Sequence, residues 1–283
     1  MESTTPTAPV KRTVLDYDDI CQMAPFFKGK KKLVDWLFKL LDVDDVNWIH
    51  DHNFDTPGPA FCRGLLNDLD IKLRIDNEQV LDNLPSGAFI TISNHPFGAL
   101  DGITLIDLIG SRRPKYKVMV NMILNHITAM RPNFIAVDQQ ASDDPAKKAV
   151  SMKGIKEAMI NVKRGEPIGF FPAGAVGNYN RHLRFEDREW QPVVIRLIQQ
   201  LGVPVIPIFF HGLNSWWFRF LGLISWQLRT LRLPGEVFRR KGDTLHISVG
   251  DIITPEQIKE HSASLDELSA YLREKTYSLR KLK

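Results

Sequence analysis

The sequence predicts an α/β fold: one domain with a mixed, largely parallel sheet flanked by helices, preceded by an N-terminal helical extension. Two observations carry this. Short apolar runs of strand length, such as Ala88–Ser93, Pro167–Phe171 and Val203–Phe210, alternate with helical stretches of ten or more residues. Strands interleaved with helices of that length imply crossover connections and a sheet covered on both faces. No Gly/Ser-rich linker divides the chain, so the expected organisation is a disordered tail (1–15), a helical and membrane-associated extension (16–64) and one catalytic domain (65–283).

The extension reads as helical to about residue 48, with a further helical stretch near Gly64–Asp68. A strand at Ile71–Ile75 leads into the turn Asn83-Leu84-Pro85-Ser86-Gly87. The buried strand 88–93 comes next, followed by a helix from about 101 that ends at Gly110. Strands are expected at Lys117–Val120 and Asn133–Val137, then a polar loop, Gln139–Pro145. The helix Ala146–Lys163 closes on Arg164-Gly165, a cationic last turn and then glycine. Strand 167–171, a helix over about 189–201, strand 203–210 and strand Leu245–Val249 follow. A last helix begins after Thr254-Pro255-Glu256.

Composition narrows the function. The 283 residues suffice for one large core, and 43% hydrophobic with 25% charged residues is ordinary for a globular chain. A net charge of +4, with no basic-aromatic repeat or zinc-type spacing, points away from nucleic acid and from a metal site. His126 and His182 have no carboxylate at ligand spacing. Cys21 and Cys62 make no disulfide framework, which suits a reducing compartment. The first ten residues contain no hydrophobic signal core, and no apolar run reaches the roughly 18 residues of a spanning helix.

Two segments nevertheless look directed at a bilayer. In Phe26–Leu41, Lys28 and Lys30–Lys32 would meet anionic head groups while Leu33, Trp36, Leu37, Leu40 and Leu41 recur at helical spacing. In Ser215–Arg229, Trp216, Trp217 and Trp226 accompany Arg219 and Arg229, a composition suited to the interfacial zone. Packing of both segments as ordinary surface helices is the alternative.

The chemistry concentrates in Asn94-His95-Pro96-Phe97-Gly98-Ala99-Leu100-Asp101-Gly102, a strand-to-helix turn. His95 with a carboxylate six positions on can act as a base held by an orienting acid. Asn94 can position or cap the loop, and Pro96 and Gly98 suit a rigid bend. Phe171-Pro172-Ala173-Gly174 forms a second tight turn after a strand, where glycine allows close main-chain approach. Asn121 and His211 each follow an apolar strand and are candidates to line the same cleft. No Gly-x-Ser-x-Gly elbow is present, and neither cysteine lies in these blocks.

Three blocks in this order resemble the glycerolipid acyltransferase superfamily typified by lysophosphatidate acyltransferase. They are Asn94–Gly102, Phe171–Val176 and Val203-Pro204-Val205-Ile206-Pro207. The resemblance spans roughly residues 65–255 and is strongest to the hemolysin-like branch that acylates ornithine or glycine lipids. It implies His95 and Asp101 as catalytic residues and Asn94, Gly98, Phe171, Pro172, Ala173 and Gly174, within the matched blocks, as substrate-binding; Asn121 and His211 stand beside these as candidates from their positions alone, with a structural role the alternative for His211. Acyl transfer also needs oxyanion donors, and backbone N–H groups around Gly174, where glycine lets the main chain approach, are the candidates.

The departures are informative. Five residues separate His95 from Asp101, where the broad superfamily has four. The acidic residue of the Phe171–Val176 block is missing: Ala173 and Ala175 occupy the two positions where branches carry Glu. Phe134-Ile135-Ala136-Val137 is followed by Asp138, not by the arginine that holds a phosphate elsewhere in the superfamily. A phosphomonoester favours bidentate guanidinium partners, so the expected acceptor lacks one, unless Arg112, Arg113, Arg131 or Arg181 supplies the contact.

The resemblance thus implies transfer of a fatty acyl group from a thioester donor to the hydroxyl of a monoacylated amino-acid lipid. The donor would be acyl carrier protein or acyl-CoA as co-substrate, with no cofactor. The basic series Lys147, Lys148, Lys153, Lys156, Lys163 and Arg164 is either a solvated helix face or a donor-docking one. The expected location is peripheral, on the cytoplasmic face of the inner membrane. A lysophosphatidate or other lysophospholipid acyltransferase is the second expectation, and a non-catalytic membrane-surface protein the third.

Overall fold

In chain order the strands are β1 (Lys72–Asp76), β2 (Ile90–Ser93), β3 (Lys117–Asn121), β4 (Phe134–Val137), β5 (Ile168–Phe170), β6 (Asn178–Tyr179), β7 (Phe185–Glu186), β8 (Val205–His211) and β9 (Thr244–Val249). The helices are α1 (Tyr17–Met23), α2 (Lys31–Leu40), α3 (Val43–Asn53), α4 (Pro59–Asp68), α5 (Gln79–Asp82), α6 (Ala99–Gly110), α7 (Pro145–Lys163), α8 (Pro192–Leu201), α9 (Trp216–Ile224), α10 (Trp226–Leu231), α11 (Leu233–Phe238), α12 (Pro255–Glu260) and α13 (Leu265–Ser278). This computed structural model describes residues 11–138, 145–179 and 185–281. The expected tail over residues 1–10, most of the polar loop after Asp138, and Arg181 and His182 lie outside them.

Seven strands make one sheet in the order β1-β9-β8-β2-β5-β3-β4. Every pairing is parallel except β8 with β9, so β1 and β9 run against the other five. The expected mixed, largely parallel sheet is therefore what forms. β2 lies at its centre between β5 and β8, which explains why Ile90, Thr91, Ile92 and Ser93 are all buried.

The sheet separates two cores. On one face α4 and α6 pack Phe61, Leu65, Leu105 and Ile106 against Ile206, Ile208 and Phe210. On the other, α7, α8 and α13 pack Ala158, Ile195, Ile198, Leu268 and Leu272 against Ile90, Ile92 and Phe170. Each fully buried side chain of this size contributes about 1.5–3 kcal/mol through removal from water.

Element boundaries move for local reasons. The helix expected from 101 begins at Ala99, because Asp101 turns back to accept the N–H of Gly98. The helix expected from about 189 begins at Pro192: Gln191 is extended, as a residue before proline tends to be, and its N–H donates to the Pro172 carbonyl. Thr254 and Gln257 form a reciprocal cap that starts α12. The hairpin β6–β7 went unforeseen, since two-residue strands carry no periodicity.

The extension packs in two ways. Val34, Phe38 and Val43 form a small separate cluster with Leu15, Tyr17 and Ile20. By contrast, α4 straddles residue 64 yet belongs wholly to the main core, beside α6. No helix among the described residues is long and apolar enough to cross a membrane.

Candidate active site

The central strand β2 delivers Asn94 and His95 at its C-terminal end, between the ends of β5 and β8. Asn94 is buried, and its amide makes a reciprocal pair with the Phe210 main chain. Nδ2 donates to the carbonyl at 2.9 Å and Oδ1 accepts the N–H at 2.7 Å. This side chain extends the β2–β8 ladder by one rung, so Asn94 acts by fixing the loop.

The loop then turns through Phe97 and Gly98. Gly98 has φ +83° and approaches Leu233 and Val176 so closely that a Cβ would lie 2.7 Å from Leu233 Cδ2. Only glycine meets both requirements without displacing α11. Gly212, just after β8, has φ +114° for a related reason: a Cβ there would stand 2.9 Å from the Phe97 ring.

Asp101, on the first turn of α6, is fully buried. Its Oδ2 accepts from Phe97 N–H at 2.9 Å, Gly98 N–H at 3.0 Å and His95 Nδ1 at 2.9 Å. Burial pushes the carboxyl up; His95 and the two N–H groups pull it back towards the ionised form. With Nδ1 donating, the other ring nitrogen, Nε2, is left as the basic lone pair. The His95 side chain is 16% exposed, enough to be reached from the cleft. Asp101 Oδ1 is buried without a hydrogen-bond partner.

Phe171 stacks on the His95 ring, with centroids 4.1 Å apart and planes at 26°. The turn after it brings Pro172, Ala173 and Gly174 into buried positions beside α8. Gly174 has φ +71°, and a Cβ would collide with the Gln191 amide. Its N–H, however, donates to the Phe171 carbonyl at 2.9 Å. That turn hydrogen bond occupies the group expected to serve an oxyanion. The N–H groups of Ala175 and Val176, next in the same loop, meet no acceptor among the described residues.

Asp187, which the sequence reading missed, enters from the far side of the β6–β7 hairpin. Its carboxylate accepts the His95 backbone N–H, at 3.2 Å to Oδ2. Burial holds its carboxyl above the usual range, and the Asp101 charge adds to that; Tyr277, His95 and the His95 N–H act in the opposite direction. No sequence signal marks it, because 92 positions separate it from His95.

The remaining candidates fall elsewhere. Asn121 ends β3, two strands from β2, and is half-buried. The His211 ring turns away from His95. It bonds Ser248 Oγ at 2.8 Å and stacks on His246 at 3.9 Å, with Asp76 alongside. The expected membership of His211 in the His95 cleft is therefore not what its contacts describe: the pleat sends it to the face opposite Phe210. Asp76, His211 and His246 are far apart in the chain, so no local spacing marks their grouping.

Of the arginines expected to rescue phosphate binding, Arg113 donates to the carbonyls of Pro85, Gly87 and Gly165. Arg112 pairs with Asp82, and Arg131 bonds the Asn125 carbonyl. All three are tied to local structure. A different one, Arg229, is buried close to this region and donates to the Gly177 carbonyl at 2.8 Å. Burial and the charge of Arg188, the neighbour of Asp187, lower its pKa.

This arrangement, a buried acid orienting a histidine whose second nitrogen is accessible, suits proton removal from a hydroxyl. The sequence profile of the acyltransferase family matches residues 21–282. Lyso-glycine lipid O-acyltransferase from Bacteroides thetaiotaomicron is 26% identical over 261 residues, covering 88% of this chain and 90% of that protein. The protein of the same name from Phocaeicola vulgatus is 23% identical over 256 residues, 87% of each. The crystal structure of the 1-acyl-sn-glycerophosphate acyltransferase PlsC from Thermotoga maritima overlays 90% of this chain and 97% of its own, with a TM-score of 0.49 and 12% identity. A profile match that runs through both the extension and the sheet, with the His95–Asp101 pair assembled inside it, means that this chain belongs to the acyltransferase family.

Proposed function

We propose that the protein transfers a fatty acyl group from a thioester to the free hydroxyl of a monoacylated glycine lipid. The observation that carries this is the His95–Asp101 pair, read together with the two similar proteins that bear that activity in their names. His95 Nε2 removes the acceptor's hydroxyl proton as the oxygen attacks the thioester carbonyl, and Asp101 stabilises the imidazolium that forms. Collapse of the tetrahedral intermediate breaks the carbon–sulfur bond, and the imidazolium returns its proton to the departing thiolate. The N–H groups of Ala175 and Val176 are the proposed oxyanion donors.

Arg229 supports an acceptor with an anionic head group. A buried guanidinium beside a second cation, Arg188, suits a lipid carboxylate. The diacid charge of a phosphomonoester would call on more guanidinium groups than Arg112, Arg113 and Arg131 leave available.

The acyl substrates imply a bilayer, and the surface is consistent with peripheral docking. In α2, Val34 and Phe38 face inward while Leu33, Trp36 and Leu40 are exposed, so an apolar stripe remains on the outside. Trp216 and Trp217 of α9 are likewise exposed, and the two helices meet around a cavity of about 330 Å³ lined by Leu40, Leu41, Trp217, Leu221, Leu231 and Arg232. Lys153, Lys156, Lys163 and Arg164 are exposed along α7 and its end, a basic face for an acidic acyl carrier protein or the phosphates of coenzyme A. Such a surface fits the inner face of the cell membrane, where both donors are available.

The test is acyl transfer from labelled palmitoyl-acyl-carrier-protein and palmitoyl-CoA to lyso-glycine lipid or lysophosphatidate in mixed vesicles. Labelling of the glycine lipid, with no competition from lysophosphatidate, is expected. Preferential labelling of lysophosphatidate would replace this reading with that of a lysophospholipid acyltransferase. Arg229→Gln should raise KM for the glycine lipid about tenfold or more with a smaller change in kcat.

A further inference from the structure

Three adjacent strands place a second group of histidines on one face of the sheet, away from the His95 pair. Residues His246 and Ser248 alternate on β9. Arg74 and Asp76 stand opposite them on β1, and His211 stands opposite His246 on β8. The side chains converge. His246 Nε2 lies 2.5 Å from Asp76 Oδ2, and Ser248 Oγ donates to the same oxygen at 2.8 Å. His211 Nε2 bonds the Ser248 hydroxyl at 2.8 Å, and the two imidazoles stack with centroids 3.9 Å apart. We propose that Asp76, His211 and His246 bind a divalent transition ion of the zinc class, at a site separate from the acyl-transfer centre.

Donor chemistry selects the ion. Two imidazoles and one carboxylate match the ligand set that zinc accepts with a fourth position open to water, and imidazole donors disfavour magnesium and calcium. One ligand atom from each residue lies within 4.8 Å of the other two. Bonds of about 2.0–2.1 Å in a tetrahedral site place ligand atoms about 3.3 Å apart. Side-chain rotation alone can supply the contraction, since all three residues are half-buried and on rigid strands.

Protonation is compatible. Ser248 gives its proton to Asp76, so it accepts one from His211, which therefore carries hydrogen on Nε2 without metal. A metal takes both rings as neutral donors, and binding through Nε2 would leave the ring hydrogen of each on Nδ1. Ser248, freed from bridging, is placed to contact the bound water. Arg74 stands 3.9 Å from the other Asp76 oxygen but is 60% exposed and free to swing outward. Its charge, with that of Arg280 nearby, opposes the ion and is the feature a bound cation must overcome.

An ion here would cross-link β1, β8 and β9, and so clamp the antiparallel junction between β8 and β9. The outer pair β1–β9 would then be secured to the half of the sheet that carries His95.

The experiment uses the full chain after chelator treatment and dialysis. Cobalt(II) is titrated while visible d–d absorption is recorded, and zinc is titrated against a chromophoric chelator. One equivalent per chain with a tetrahedral cobalt spectrum is expected, with a rise in Tm on zinc addition. Asp76→Asn, His211→Asn and His246→Gln should each weaken binding at least tenfold. His95→Ala should bind as wild type does. Circular dichroism of the metal-free proteins establishes that each variant is folded. Absence of a stoichiometric cobalt spectrum, or binding that persists in folded Asp76→Asn and His246→Gln, overturns the proposal. Loss of binding in His95→Ala would assign the ion to the acyl-transfer centre and overturn it equally.

Discussion

Two histidine–carboxylate pairs occupy one sheet, and they are built by opposite means. His95 and Asp101 lie six residues apart on a single turn, and the loop geometry alone brings them together. His246 and Asp76 lie 170 residues apart and meet only because β1 and β9 are neighbours. The first pair gives Asp101 Oδ2 three donors and leaves the outer nitrogen of His95 facing the cleft. The second shares Asp76 Oδ2 between His246 and Ser248 and stacks its ring on another histidine. The Asp101 carboxylate orients one ring directly; Asp76 holds one ring directly and reaches the second only through the Ser248 hydroxyl.

The difference is sharpest in what removal of the acid should do. Asp101→Asn keeps a side chain of the same size but no longer stabilises the imidazolium, so kcat should fall about 10²–10⁴-fold with little change in KM. A loss below tenfold would deny Asp101 an orienting role. Asn94→Ala should be the most costly change to stability near the site. It leaves the buried N–H and carbonyl of Phe210 without their partner, worth about 2–4 kcal/mol in chemical denaturation. The equivalent lesion in the second region is milder. Ser248→Ala removes the hydroxyl between Asp76 and His211 and should cost about 1 kcal/mol, because both neighbours are half-buried and can turn to water.

The smallest effect concerns pH. Burial raises the Asp187 carboxyl, so its ionisation opposes folding and stability is lost as pH rises through the folded-state value. Asp187→Asn should therefore melt above wild type at about pH 8, and that advantage should shrink on acidification, as the folded carboxyl takes up its proton before the unfolded one does. An advantage that grows on acidification would mean that Asp187 is stabilised as the anion.

The same contrast explains what was legible in the sequence. Buried strands such as Ile90–Ser93 announce themselves as apolar runs, and the motif around His95 is local, so both could be read from spacing. Asp187, Arg229 and the Asp76–His211–His246 group depend on neighbours fixed by the sheet or by a short hairpin, and no local pattern encodes them. His211 illustrates the limit. The sequence puts it just past a strand ending at 210, but β8 runs through His211 itself, and the pleat directs its ring towards His246. Gly174 illustrates another: the turn is visible in the sequence, but its N–H is consumed by the Phe171 carbonyl.

The most direct test of the account is single-turnover acyl transfer to lyso-glycine lipid by wild type and by His95→Ala, both loaded on the same vesicles. Retained vesicle binding with a rate lowered about 10³-fold or more is the predicted result. A His95→Ala protein that transfers the acyl group within tenfold of wild type would contradict the assignment of His95 as the base.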